Sequence, residues 1–384
     1  MILKDPRLLI AVNTGEFFLS HRLHLAKGAK DAGFEVFVLC PPGPAIAKIE
    51  GLGFKVVLVE MGRKSMNPFH ELVTISKFYK AIESVRPDVY HGFTIKPVLY
   101  GTIASLLYGV PKIVNTITGL GYLFISEALH VRMIRTGIGL VYRFIFASER
   151  VRITFQNEDD QNLFVGNGWV AKEKTRVIKG TGVDITRFAP SPEVSGVPVI
   201  LFPARLLLDK GVRELIQAAE TLKQKGYNFT VELCGKEDPG NPSALSGEEL
   251  KEIREKFPYI KIRGHVEDMA EAFKHCHVVC LPSYREGIPL ALIEASAAGK
   301  AMVTTDVPGC RAVVNDGVNG FLVKSKDSVT LADALEKLLS SSELRERFGA
   351  AARRNAISEF AKDSVIAKNL EVYEMPLVPR VKSA

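Results

Sequence analysis

The sequence predicts an α/β protein made of two doubly wound, parallel-sheet domains, and three observations predict it. At 384 residues the chain is longer than one ordinary core accommodates. Short runs rich in Val and Ile recur along it, as strands buried on both faces of a parallel sheet require. Helix-period segments separate those runs, and such alternation marks sheets flanked by helices.

In the first half the strand-like runs are Leu8–Asn13, Glu35–Cys40, Lys55–Glu60, Val89–Phe93, Lys112–Ile117, Arg152–Gln156 and Thr175–Ile178. In the second they are Val197–Ala204, Phe229–Cys234, Ile260–Arg263, Val278–Pro282, Ala301–Thr305 and Gly320–Val323. Arg213–Lys225 and Leu290–Ala298 carry helical periodicity. Ala189–Pro198, with three prolines, two serines and a glycine, has linker chemistry. The expected domains are therefore residues 1–188 and 189–360, with a tail at 361–384 whose helix crosses back to the first domain. In such sheets ligands bind at the carboxyl ends of the strands, and both sets of ends are expected to face a shared cleft.

Composition is that of an ordinary globular protein, 47% hydrophobic and 24% charged. Five cysteines in apolar runs read as reduced thiols of a cytoplasmic protein. A charge and a proline interrupt the first residues, so they do not read as a signal peptide. No run of apolar residues is long enough to span a bilayer. Residues 1–180 hold 23 Lys and Arg against 15 Asp and Glu, so the net +7 of the chain lies entirely in the first half. That surplus suggests an anionic partner: a phosphorylated acceptor, an anionic bilayer or nucleic acid.

Two stretches carry chemistry. Pro282–Glu294 reads PSYREGIPLALIE. It sets Glu286 on a tight loop and Glu294 within the next helix. Gly287, Ile288, Pro289 and Leu290 lie at that helix's start, where backbone N–H groups suit a diphosphate. Taken alone, Glu286 also reads as a helix cap and Glu294 as a solvated residue. Phe202–Gly211 reads FPARLLLDKG and sets Arg205 and Lys210 just past a strand. Two cations there suit a leaving diphosphate, though each also reads as an ordinary surface charge.

With both stretches in one domain, the sequence resembles the retaining glycosyltransferases of family 4, which have the GT-B fold. LCGKED at Leu233–Asp238 and RGHVEDM at Arg263–Met269 fit the same arrangement. The resemblance implies a fold of two Rossmann-like domains facing a cleft. It implies that Arg205 and Lys210 bind the donor diphosphate, Glu286 the sugar hydroxyls and Glu294 the ribose. The backbone at Gly287–Leu290 would cradle the phosphates, and that near His265 and Val266 would receive the base. It further implies same-face attack, with no metal ion or other cofactor.

The first half is expected to serve the acceptor. Gly15, in the loop Asn13–Phe18, would let the backbone approach a ligand, beside donor phosphate and acceptor. His21 and Arg22 begin the following basic helix, which also reads as a solvated face. His91 and Lys96 lie at a strand-to-loop switch in YHGFTIK. Where many relatives place a histidine, this chain has Thr118, in TGLG. A threonine is neither acid nor base, so Glu286 and the phosphates become more central. Asn67–Phe69, the TGLG loop and Gly235–Ser243 resemble bacterial enzymes that extend polyprenyl-diphosphate-linked saccharides, N-acetylgalactosaminyltransferases among them. Ala128–Arg152 mixes five arginines with large apolar residues. It reads either as a packed helix or as one lying on the inner face of the cell membrane.

Other signals carry less. His275, Cys276, His277 and Cys280 overlap a strand, so they point to opposite faces and make a poor metal site. No dinucleotide-binding glycine pattern, Walker sequence or nucleic-acid module is present. The expected partners are a UDP-sugar donor, a lipid-linked saccharide acceptor and a membrane surface, without nucleic acid. The competing readings are a nucleotide-sugar epimerase of the same fold and a non-catalytic sugar-nucleotide-binding protein.

Overall fold

The computed structural model describes residues 5–61, 68–119, 129–238, 240–241 and 243–374, with backbone alone at 68–70 and 129–134. Asn67, Leu120–Ala128, Pro239 and Pro242, which the sequence reading drew on, lie outside the described residues.

The chain divides into two compact units, Met1–Thr181 with Asp363–Ala384, and Gly182–Lys362. The first holds a sheet of seven strands in the order β3-β2-β1-β4-β5-β6-β7. These are β1 Arg7–Ala11, β2 Glu35–Cys40, β3 Lys55–Leu58, β4 Val89–Phe93, β5 Lys112–Ile117, β6 Val151–Phe155 and β7 Thr175–Val177. The second holds six, ordered β10-β9-β8-β11-β12-β13. They are β8 Val199–Phe202, β9 Thr230–Cys234, β10 Ile260–Gly264, β11 Val278–Leu281, β12 Ala301–Thr305 and β13 Gly320–Val323. Every paired strand is parallel. The strand order reverses at β1/β4 in one sheet and β8/β11 in the other, where doubly wound folds bind ligands.

The central strands are buried throughout, β4, β5, β11 and β12 at every position. Such burial selects the near-continuous Val and Ile runs by which these strands were legible. The helix Val212–Gln224 buries Val212, Leu215, Ile216, Ala219 and Leu222 on one stripe and caps the core of the second unit.

The boundary falls between Thr181 and Gly182, earlier than the expected one after Phe188. The proline-rich stretch is fastened to the second unit. The Glu193 carboxylate accepts from Arg345 Nε at 2.8 Å. The Val194 carbonyl lies 3.0 Å from His277 Nε2, and Pro190 packs on Gly299. The helix Lys362–Glu374 belongs to the first unit from Asp363 onward. Where the chain enters and leaves the second unit it is bonded to itself: Val183 N–H donates to the Phe360 carbonyl, and Lys362 N–H to that of Val183.

All five cysteines are buried free thiols. Among the described residues no His, Cys, Asp and Glu cluster is arranged to hold a metal ion, and no helix is long and apolar enough to cross a membrane.

Candidate functional site

Three loops meet at the carboxyl edge of the second sheet. The loop after β8 carries Arg205 and ends in a 3-10 turn, Leu208–Lys210. The loop after β11 carries Glu286 and leads into the helix Leu290–Ala297. The loop after β9, Gly235–Ser243, braces the first: Leu206 N–H donates to the Lys236 carbonyl at 3.3 Å and Leu208 N–H to that of Ser243 at 2.7 Å. Tyr284 N–H donates to the Asp209 carbonyl at 2.9 Å and ties the Glu286 loop to the Lys210 turn. Thr304 Oγ1 donates to the Leu281 carbonyl at 2.6 Å, and Thr305 Oγ1 to that of Ser283.

Glycines make these approaches possible. A Cβ on Gly235 would lie 1.7 Å from the Ala204 carbonyl oxygen, and one on Gly211 2.0 Å from that of Pro282. One on Gly309 would lie 2.4 Å from the Gly287 oxygen. Gly211, at φ +76°, also takes a left-handed backbone between Lys210 and the next helix.

This scaffold brings Lys210 and Glu286 together across 76 residues. Lys210 Nζ is bonded to Glu286 Oε1, and Ser283 Oγ donates to the same oxygen at 2.9 Å. The two side chains keep only 17% and 14% of their surface, so water screens the pair weakly. Arg205 is held differently. It pairs with Asp238 at 2.7 Å but remains 54% exposed. An exposed pair contributes about 0–1 kcal/mol, so Arg205 can turn to another anion at little cost.

The first turn of the helix Leu290–Ala297 has no side-chain cap. The N–H groups of Ile288 and Leu290 find no acceptor among the described residues. Pro289, as N-cap, has no N–H to satisfy. An anion placed here would meet free donors and the positive end of the helix dipole. One turn on stands Glu294, half-buried, its carboxylate without a hydrogen bond or ion pair among the described residues. Burial pushes its carboxyl up to about 7, against a smaller opposing effect of Arg187. An open carboxylate in that setting is an acceptor in want of hydroxyl donors. His265 is exposed past the end of β10, and Val266 rests partly on the core.

In the first unit the structure redraws the expected acceptor set. His91 is wholly buried in β4, its ring tilted by 31° against that of Phe93. Its Nδ1 lies 2.6 Å from the Tyr373 hydroxyl and its Nε2 2.7 Å from Thr116 Oγ1. With both nitrogens occupied and no exposed surface, His91 is a structural residue and faces no acceptor. Gly15, expected beside the donor phosphate, is buried, and a Cβ there would lie 2.8 Å from that of Ala45. Lys96 is engaged with Glu71 at 2.9 Å. His21 stacks on Phe17 and lies 2.7 Å from Ser20 Oγ. Burial, with Arg22's charge second, lowers it to about 4, so it is neutral at physiological pH. Arg22 is buried. Thr118 lines a small cavity at the ends of β4 and β5 with Thr94, Thr116 and Tyr142.

Thr94 escaped the sequence reading. It sits at φ +69°, where a β-branched residue is strained, and its enclosed Oγ1 has no partner among the described residues. Asp238 and Ser283 escaped it as well. Short polar residues in loops carry no sequence signal of what they will touch.

Residues 184–355 match the family model described as glycosyl transferases group 1, and residues 7–154 that described as glycosyl transferase 4-like. The chain is 29% identical over 378 residues to an N,N'-diacetylbacillosaminyl-diphospho-undecaprenol alpha-1,3-N-acetylgalactosaminyltransferase of Campylobacter jejuni, covering 93% of this chain and 97% of that one. It is 22% identical to a UDP-Gal:alpha-D-GlcNAc-diphosphoundecaprenol alpha-1,3-galactosyltransferase of Escherichia coli, covering 79% and 80%. The crystal structure of a Rickettsia africae glycosyltransferase superposes with TM-score 0.77 at 20% identity over 96% of this chain and 98% of that one. That of Anabaena HepE with UDP and glucose does so with TM-score 0.75 at 19% identity, over 96% and 99%. These likenesses place the fold as GT-B. With a 4-like half preceding a group 1 half, the chain belongs to the two-domain glycosyltransferases of family 4.

Proposed function

We propose that the chain moves a hexose or N-acetylhexosamine from a UDP-sugar to a polyprenyl-diphosphate-linked saccharide, with retention and without a metal ion. The carrying observation is the shielded Lys210–Glu286 pair beside the uncapped helix at Leu290. Lys210, Arg205 and the N–H groups of Ile288 and Leu290 would take the donor diphosphate. Their charge neutralises the leaving group in the way a metal does elsewhere. Glu286, held in place by Ser283 and Lys210, would accept from the sugar hydroxyls, and Glu294 from the ribose. The bond from the anomeric carbon to the β-phosphate oxygen breaks. The acceptor oxygen bonds to that carbon on the same face, and its proton passes to the departing phosphate oxygen. The names of the Campylobacter jejuni and Escherichia coli relatives, both acting on diphosphoundecaprenol-linked sugars, support the acceptor class.

Titrating a UDP-sugar with EDTA present tests the donor site. If Glu294 binds ribose as the carboxylate, its proton must leave first. Affinity is then lost as pH falls below about 7 and complete above it. Between pH 8 and pH 6 the expected weakening is roughly tenfold, since the ionised fraction of one group titrating near 7 falls from about 0.9 to about 0.1. Glu294→Gln should bind weakly at every pH and show no such slope. A UDP-sugar that fails to bind at any pH, or binds only when a divalent ion is restored, would overturn the metal-free donor site.

The acceptor class implies a lipid surface, and the first unit offers a face for one. The helix Leu129–Ile145 buries Tyr142 and Ile145 but exposes Leu140, Val141 and Phe144, the last at 82%. Exposed Arg143 stands among them. Apolar side chains flanked by arginine suit the interface of an anionic bilayer, here the cytoplasmic face of the cell membrane. Wild-type protein is expected to co-sediment with phosphatidylglycerol vesicles, and Leu140→Glu/Phe144→Glu to lose at least most of that binding. Equal sedimentation of both would remove this helix from the membrane. Loss of a dimer in the variant would assign the face to a second copy.

A further inference from the structure

Arg22 ends a π-helical turn, Phe18–Arg22, and keeps 4% of its surface. Its guanidinium carbon lies 4.1 Å from the centre of the Phe93 ring and 5.5 Å from that of Phe17. Phe93 ends β4, and Phe17 follows shortly after β1. The group therefore sits at the carboxyl edge of the first sheet, beside the β1/β4 reversal. Nε and Nη2 are enclosed and donate to nothing among the described residues.

Among the described residues no carboxylate offsets the charge. The titratable groups that face it are His21 of its own turn, His91 of β4 and Tyr373 of the last helix. His21 and His91 are pressed towards their neutral forms by burial, and the Tyr373 hydroxyl is bonded to His91. An enclosed guanidinium without a counter-charge destabilises the fold, and stacking on Phe93 offsets only part of that. Its donors match phosphoryl oxygens, which accept from planar N–H pairs. Single π turns are uncommon and concentrate at functional sites.

We propose that Arg22 anchors an anion subsite of the first unit that takes a phosphoryl oxygen of a diphosphate substrate. This rests on the transferase reading above. The oxygen comes from the acceptor's diphosphate or from the donor's, and both present the same chemistry to Arg22.

Arg22→Met separates this subsite from a structural role, because methionine keeps an unbranched stem against Phe93 and drops the charge. The measurements are the melting temperature without ligand and the titration of geranyl diphosphate and of UDP, each with EDTA. The subsite requires a melting temperature equal to or above that of wild type, since an uncompensated charge is gone. It also requires a loss of at least about tenfold for one ligand. Weakened geranyl diphosphate with unchanged UDP names the acceptor as the source; weakened UDP names the donor. A melting temperature lowered by more than about 5 °C would mean that the arginine has a structural partner, and would overturn the proposal. Both ligands binding as to wild type would overturn it too. If Arg22→Met gives no folded protein, Arg22→Lys decides. It must weaken one ligand by at least about threefold, having lost the planar donor pair; unchanged affinity for both refutes the subsite. Wild-type binding of UDP is the control for the parent reading, which stands or falls independently.

Discussion

Lys210→Ala is expected to cut turnover by about three orders of magnitude and to weaken UDP binding, whereas Glu286→Ala should lose as much turnover with UDP still bound. The asymmetry follows from what each group would touch. On the proposed site Lys210 would meet the diphosphate in the ground state and more strongly as its charge grows, so both KM and kcat would suffer. Glu286 would meet only the sugar, which UDP lacks. The structure adds a second readout. The side chains form one shielded pair, so removing either leaves the other charge without its partner. That destabilises by about 1–3 kcal/mol, less than for a fully buried pair because each retains some contact with water. Lys210→Met/Glu286→Gln should recover most of the stability and none of the turnover. A double variant with turnover near that of wild type, or Glu286→Ala at wild-type turnover, would take the pair out of the reaction.

Gly211→Ala is expected to lower the melting temperature of the second unit more than an ordinary left-handed glycine replacement does. Gly226, at φ +88° with nothing within 4 Å of an added Cβ, supplies the comparison. There alanine meets backbone strain alone, about 1 kcal/mol or slightly more, which is roughly 2–4 °C for a unit of this size. At Gly211 the same strain is joined by a Cβ 2.0 Å from the Pro282 oxygen, and backbone cannot swing aside as a side chain does. A total of about 3 kcal/mol or more is expected, near 6–12 °C. The displaced backbone leads into Lys210 on one side and towards Glu286 on the other. Surviving folded protein should therefore bind UDP weakly. Equal melting of the two variants would show that the loops part readily, and that their alignment is set elsewhere.

The strands were legible because burial on both faces leaves little besides Val, Ile and other apolar residues in them. The spacing of Glu286 and Glu294, and the proximity of Arg205 and Lys210 to a strand end, were legible because they are local. The pairing of Lys210 with Glu286 was not, since only the fold brings the residues together. Ala189–Pro198 has the composition of a linker, and Arg345 and His277, far along the chain, fasten it down. His91 misled for a similar reason. A histidine in YHGF reads as a polar group near a loop, and its burial depends on Tyr373. Gly235 and Gly309 signal only that a Cβ is missing, not which carbonyl occupies its place.

The return of the last helix to the first unit has a consequence for how the protein emerges from the ribosome. Tyr373, the hydroxyl partner of His91, is made 282 residues later, about 15–55 s at usual elongation rates. Residues 182–362 are all translated before that partner appears. The second unit can therefore finish folding while the first, begun earlier, still lacks the chain that covers Lys112, whose ammonium donates to the Tyr373 carbonyl. During that interval the nascent first unit lacks Tyr373 at His91 Nδ1 and leaves exposed the apolar surface that Val365, Val372 and Tyr373 cover in the finished core. This is the kind of surface that chaperones hold, and a stop codon shortly before Tyr373 would make that exposure permanent.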